Sequence, residues 1–302
     1  MNSKILRGFG LACALALAGC ATQEPETIQL STGGGHADRQ LAAQASAFES
    51  FMRKARAIDA GFSSPTQVQS ALAAGASHDP KQLEAGMVAY AAMAALQEPK
   101  FAAAARAGGP DLARRIAVNP EAVFALPGST AAAARASGAL YAQGTGLAGE
   151  GRKVKQAAYS VQKQAWSKAR VPNAPGRLAN VKRISAAGYQ PGRHDTAALF
   201  HALAESGRRP GAVSPVVARG VALAALSAQG QQSRGKALMS DARTSSCVRI
   251  AKLNLYQCLS AAGPHYEDIY CLGQHAMIEP AQCVTEAAAP PKRAVQKASY
   301  RR

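Results

Sequence analysis

The sequence predicts an all-α chain: an irregular bundle of many short helices plus one long helix, with a C-terminal helical hairpin stapled by disulfides. Three observations predict it. Alanine, the best helix former, makes up about 70 of the 302 residues. No segment sustains the period-two alternation of β-branched residues that a half-buried strand requires. Proline and glycine recur at helix-length intervals, each pair bracketing a stretch with apolar residues three and four apart. Small side chains bury little area each, so such helices must pack backbone-close to gain stability.

The N-terminus comes first. Lys4 and Arg7 form a positive segment, Phe9 to Ala18 is an apolar run, and small residues lead to Leu17-Ala18-Gly19-Cys20. The run is too short to span a hydrocarbon core of ~30 Å as a helix. Residues 1–20 resemble the lipobox signal of bacterial exported lipoproteins. The resemblance implies that residues 1–19 are a removed signal peptide and that Cys20 becomes the acylated first residue. Several acyl chains hold a protein on a membrane stably where one does not. Asp after the cysteine is that family's inner-membrane retention residue. Ala21 stands there instead, which implies sorting to the outer membrane, facing the periplasm. Residues 20–36, polar and ending in Gly33-Gly34-Gly35, read as a lipidated flexible tether.

Residues 37–240 read as the helical body. Leu41, Ala45, Phe48, Met52, Ala55 and Ile58 line one face of a helix over 38–60 that Gly61 ends. Ser64-Pro65 and Asp79-Pro80 each pair a capping side chain with a proline suited to the first helical position. They open helices that close at Gly75 and at Glu98-Pro99. Short helices follow near 100–107, 110–118 and 120–125. Ser129 is the expected cap of a long stretch reaching about Arg170. Its seam runs through Leu140, Gly144, Leu147, Gly151, Val154, Ala158, Val161 and Ala165, alternating four- and three-residue steps. Glycines at 138, 144, 146, 149 and 151 each cost ~1 kcal/mol relative to alanine, so a kink is expected near 143–151. A faint repeat relates 48–107 to 175–235: Ala60-Gly61-Phe62 with Pro65 is echoed by Ala187-Gly188-Tyr189 with Pro191.

Four cysteines remain after Cys13 and Cys20. An even number in an oxidising compartment reads as two disulfides. Residues 241–284 form a hairpin, with Gly263-Pro264 as the turn. Cys247 and Cys258 on one helix lie about 16 Å apart, beyond the ~7 Å that a disulfide allows. An antiparallel hairpin instead sets Cys258 opposite Cys271 and Cys247 opposite Cys283, and this nested pairing is expected. Pro280 should kink or restart the second arm. Structural zinc sites offer ligands two to four residues apart and redox pairs are Cys-x-x-Cys; neither spacing occurs. Residues 285–302 read as a disordered basic tail.

The chain carries 35 Lys and Arg against 18 Asp and Glu. Removing Lys4 and Arg7 leaves a net charge of about +15, which in a cytosolic protein would suggest nucleic acid. An exported lipoprotein meets none, so the expected anionic partners are peptidoglycan and anionic lipid, beside an envelope protein. Lys153, Lys155, Lys163, Lys168 and Arg170 form a candidate anion-binding stripe on the long helix. His36, His78, His194, His201, His265 and His275 match no metal-binding pattern. Asp195 is the expected N-cap of the helix carrying His201. No nucleophile elbow, phosphate loop or dinucleotide fingerprint occurs. No cofactor is implied. Glu84, Glu121, Glu150 and Glu205 are available acids outside any cleft motif. The leading expectation is a non-enzymatic interaction or scaffold module of the cell envelope. The alternatives are a peptidoglycan hydrolase or its activator, and a carrier of an apolar ligand.

Overall fold

A computed structural model describes residues 36–289. The expected signal segment, Cys20, the tether to Gly35, and residues 290–302 of the tail lie outside the described residues. The body comprises α1 (His36–Arg56), α2 (Pro65–Gly75), α3 (Pro80–Leu96), α4 (Pro99–Arg106), α5 (Pro110–Val118), a 3₁₀ helix (Pro120–Ala125) and the long α6 (Ser129–Val161). It continues through α7 (Ala165–Lys168), α8 (Ala174–Ala186), α9 (Arg193–Ala204), α10 (Pro215–Ala228) and a 3₁₀ helix (Gln232–Met239). The hairpin is α11 (Ala242–Ala261) against α12 (His265–Cys271), a π-helical segment (Leu272–Ile278) and α13 (Glu279–Ala288). Among the described residues the one β feature is an isolated bridge between Arg170 and Pro264.

Local chemistry starts the helices. Ser64, Asp79, Ser214 and Asp241 each accept a hydrogen bond from the backbone N–H three residues on, at α2, α3, α10 and α11. Helices α2 to α5 and α10 begin on proline, whose missing N–H would go unpaired there in any case.

Small residues then set the packing. α3 is buried on all sides, with Leu83, Met87 and Tyr90 among its core residues, and it packs against both α1 and α10. A Cβ added at Gly86 would lie 2.7 Å from Phe48 Cβ, and one at Gly220 would lie 2.6 Å from Ala91 Cβ. Both helix pairs therefore touch almost backbone to backbone, as an alanine-rich core requires. α6 packs on α3 and carries the second arm of the hairpin along its seam. Leu140, Gly144, Leu147, Gly151, Val154, Ala158 and Val161 are all buried, and one continuous core joins body and hairpin.

The nested disulfides are present. Cys247 pairs with Cys283 and Cys258 with Cys271, each with Cα atoms 5.7 Å apart. Rather than kinking or restarting at Pro280, the second arm stays helical and passes from π-helix to α-helix at Glu279, one residue earlier. A proline ring crowds the carbonyl four residues earlier, here Ala276, and that carbonyl lies inside the π-helical turn, where the helix is widened.

Several expectations are corrected. The long helix ends at Val161 rather than Arg170: Ser167 turns back to donate its hydroxyl to the Val161 carbonyl, and Ala165 is exposed beyond the seam. No break occurs at 143–151, because the second arm of the hairpin packs closely on Gly144 and Gly151. The N-cap of α6 is Gly128 at φ 82°, a conformation glycine adopts without strain, and Ser129 is the first helical residue. α9 starts at Arg193, so Asp195 is the third helical residue, and it accepts a hydrogen bond from Gly192 N instead of capping the end itself. Residues 285–288, read as tail, complete α13 with Ala287 and Ala288 buried.

Candidate functional site

At the tip of the hairpin a groove of about 380 Å³ opens between α6, α11 and α12. Three tyrosines line it. Tyr266 and Tyr270 stand one turn apart on α12, and Tyr159 projects from α6 with half its surface (52 %) exposed. The Tyr159 and Tyr270 rings meet edge to face, 6.3 Å between centroids at 82°. The Cys258–Cys271 disulfide forms part of the lining and locks α11 to α12. Residues 169–171 strap the turn from outside: Val171 N donates to Gly263 O at 2.9 Å and His265 N to Ala169 O at 3.3 Å.

A row of polar groups continues from the aromatic floor. Lys155, one turn before Tyr159, places its ammonium 5.1 Å from the Tyr270 centroid and donates to Gln274 Oε1 at 2.8 Å. Glu279 gathers three neighbours: Asn254 Nδ2 donates to it at 2.9 Å, Gln274 Nε2 at 3.4 Å, and His275 Nδ1 lies 2.7 Å away. Glu267, in the lining, accepts from Gly263 N at 2.7 Å. Aromatic walls with a few oriented polar groups are the usual make-up of a small-ligand site, and the volume falls in the usual range of ~300–1,000 Å³.

The structure divides the expected anion-binding stripe. Lys155 lies over the Tyr270 ring, beside the groove rather than in its lining. Lys153 donates to Glu150 at 2.9 Å. Lys163, exposed, follows the groove residue Gln162, while Lys168 ends α7 and Arg170 sits in the strap, both after α6 has ended. These five are therefore not one helix face.

The expected acids and histidines do other work. Glu84 accepts from Ser240 Oγ and Asp241 N, tying α3 to the hairpin entrance. Glu205 pairs with His201 on the surface at 3.5 Å, and Glu121 is exposed at the first 3₁₀ helix. His194 is exposed, and Asp195 joins Arg53 at 2.9 Å and Tyr189 Oη at 2.7 Å, bracing α9 on α1. His78 and His265 are buried, and desolvation holds both below the ordinary imidazole value. No group of three His, Cys, Asp or Glu side chains among the described residues could hold a metal.

Two buried charge sites support the scaffold. Arg177 of α8 forms an ion pair with Asp268 and also donates to the Leu259 and Ala262 carbonyls, capping the end of α11. Burial, more than Arg177 offsets, pushes the Asp268 carboxyl up to about 6. Lys252 of α11 donates to Ala76 O at 3.0 Å and Ser185 Oγ at 3.2 Å, with His78 Nδ1 3.4 Å away; its burial lowers the ammonium to about 7.

The residues that build the groove escape a reading by motif. Tyr266 and Tyr270 sit four apart beside a disulfide cysteine, a local sign of a shared face, but their partner Tyr159 is far away in sequence. No protein-family model matches the chain, and no curated protein and no solved structure matches it.

Proposed function

We propose that the chain is a lipid-anchored lipoprotein of the bacterial outer membrane, facing the periplasm, and that it acts as a non-enzymatic interaction module that contacts the cell wall. The observation that carries the reading is the exposed tyrosine groove, held rigid by the Cys258–Cys271 disulfide and by the strap at 169–171. An aromatic surface already ordered before binding loses little side-chain entropy on contact. Two disulfides suit an oxidising compartment, in agreement with the lipobox reading of residues 1–20. No described helix is long and apolar enough to cross a membrane. In this reading the acyl chains on Cys20 serve the membrane and the groove serves the wall.

Two measurements test it. Cys20→Ser should move the protein out of the outer-membrane fraction; retention there by the variant rejects the anchor. Full-length protein in mild detergent should sediment with purified sacculi without releasing soluble fragments, and Tyr159→Ala should weaken that sedimentation. Failure to sediment, or sedimentation indifferent to Tyr159, rejects the groove as contact face. Release of soluble fragments rejects the non-enzymatic assignment.

A further inference from the structure

We propose that the groove recognises the glycan of the wall: an amino-sugar strand that stacks on Tyr159 and Tyr270 and presents carboxylates to Lys155. The inference rests on the wall-contact reading above and names the ligand class of that same site.

The shape of the floor comes first. Tyr159 and Tyr270, at 82°, form a corner of two aromatic surfaces, with Tyr266 on the same wall as Tyr270. A sugar ring is rigid, with an apolar C–H face and a polar rim. The electron-rich face of tyrosine attracts the slightly positive C–H face, while the rim stays free for hydrogen bonds. An acyl chain would need a closed apolar tunnel, whereas this groove is open and borders on charged groups.

The polar groups at the floor fit the rim of such a strand. Glu267 and Gln162 in the lining offer partners for hydroxyls and acetamido groups, while Gln274, Asn254 and Glu279, beyond the lining, bond to one another and hold Lys155 through Gln274. Lys155 places a cation against the stacking surface, over Tyr270. Of its three N–H donors one goes to Gln274, and the rest of the ammonium faces the Tyr270 ring. A carboxylate on the strand would meet this ammonium, with the exposed Lys163 next along the chain from the groove. Glu267, a carboxylate in the lining itself, sits on the other side of the balance. It disfavours a densely anionic ligand and favours a largely neutral strand with spaced charges.

The chain supplies its own reporter. Its single tryptophan, Trp166, lies in α7, four residues after the groove residue Gln162. Full-length protein in mild detergent would be titrated with three probes: neutral N-acetylglucosamine oligomers, peptide-free wall glycan bearing lactyl carboxylates, and sugar-free stem peptide. Tryptophan emission should change saturably with both glycans and not with the peptide. The carboxylated glycan should bind several-fold more tightly than the neutral one. Tyr159→Ala should weaken both by about tenfold or more, the size of one lost stacking contact, while Tyr159→Phe keeps binding within about threefold. Lys155→Met should abolish the preference for the carboxylated glycan. Binding of the stem peptide alone, with sacculus sedimentation still dependent on Tyr159, would overturn the glycan assignment and leave the wall contact standing. Loss of sedimentation as well would remove both. Glycan binding indifferent to Tyr159 would overturn the groove as its site.

Discussion

Gly273 lies against the backbone of Lys155: a Cβ added at Gly273 would sit 2.5 Å from Lys155 N and 2.7 Å from its Cα. The neighbour is helical main chain inside α6, so it cannot move aside as a side-chain tip could. Gly273→Ala should therefore destabilise the protein by about 1–3 kcal/mol, the usual cost of overpacking. Because Lys155 also faces Tyr270 and Gln274, the same variant should disturb the groove. Urea denaturation checks the first effect and loss of sacculus sedimentation the second. A variant as stable as the parent would show that this contact is looser than its geometry.

That contact also separates what the sequence shows from what it hides. Ser64-Pro65 and Asp79-Pro80 are legible because cap and first helical residue are adjacent, so the chemistry is local. The disulfide pairing is legible because helix rise excludes Cys247–Cys258 and the turn at Gly263-Pro264 sets the register. The α6 glycines mislead for a physical reason. Propensity counts them as a cost, and only the arriving second arm of the hairpin turns Gly144 and Gly151 into contacts. The end of α6 is likewise tertiary: Gln162 to Lys168 holds no breaker, and the chain turns away because 169–171 dock on the hairpin turn. The groove is the least legible, since it exists only once Tyr159 meets Tyr270 across two elements.

The inner disulfide closes a 13-residue separation at the tip. Serine at both Cys258 and Cys271 should cost roughly 2–3 kcal/mol, somewhat less than an isolated loop of that size, because the Cys247–Cys283 bridge already restrains the unfolded chain. Urea denaturation of the double variant measures the cost. Non-reducing peptide mapping of the parent should recover the two nested linkages, and a Cys258–Cys283 peptide would contradict the hairpin.

The side chains of Arg177 and Asp268 are 2 % and 0 % exposed, so neither charge can turn to water if the other is lost. Arg177→Met should cost about 3–5 kcal/mol, because it leaves Asp268 with only Gln69 Nε2 as partner and uncaps the Leu259 and Ala262 carbonyls. Arg177→Lys should recover little of this, since a single ammonium cannot span carboxylate and carbonyls as the planar fork does. Arg177→Met with Asp268→Leu should be more stable than Arg177→Met alone. Chemical denaturation of the three variants decides it, and a mild single-variant loss would mean that water reaches the pair.

Lys252 gives stability a defined pH dependence. Its ammonium titrates near 7 in the folded chain against an ordinary 10.5, because burial opposes the charge while Asp79 offsets only part of that cost. Between these values the unfolded state binds more protons, so unfolding free energy should rise with pH from about 7 toward 10. The rise should amount to a few kcal/mol. Asp268, titrating near 6, acts below this window; Tyr90, pushed up to about 12 by burial, opposes the rise only above 10. Lys252→Met should flatten the rise and stabilise the protein at pH 7, with Ala76 O still satisfied by Ser185 Oγ. Urea midpoints at pH 7, 8, 9 and 10 for parent and variant test this. Parallel curves would show that Lys252 keeps an ordinary ammonium in the folded chain.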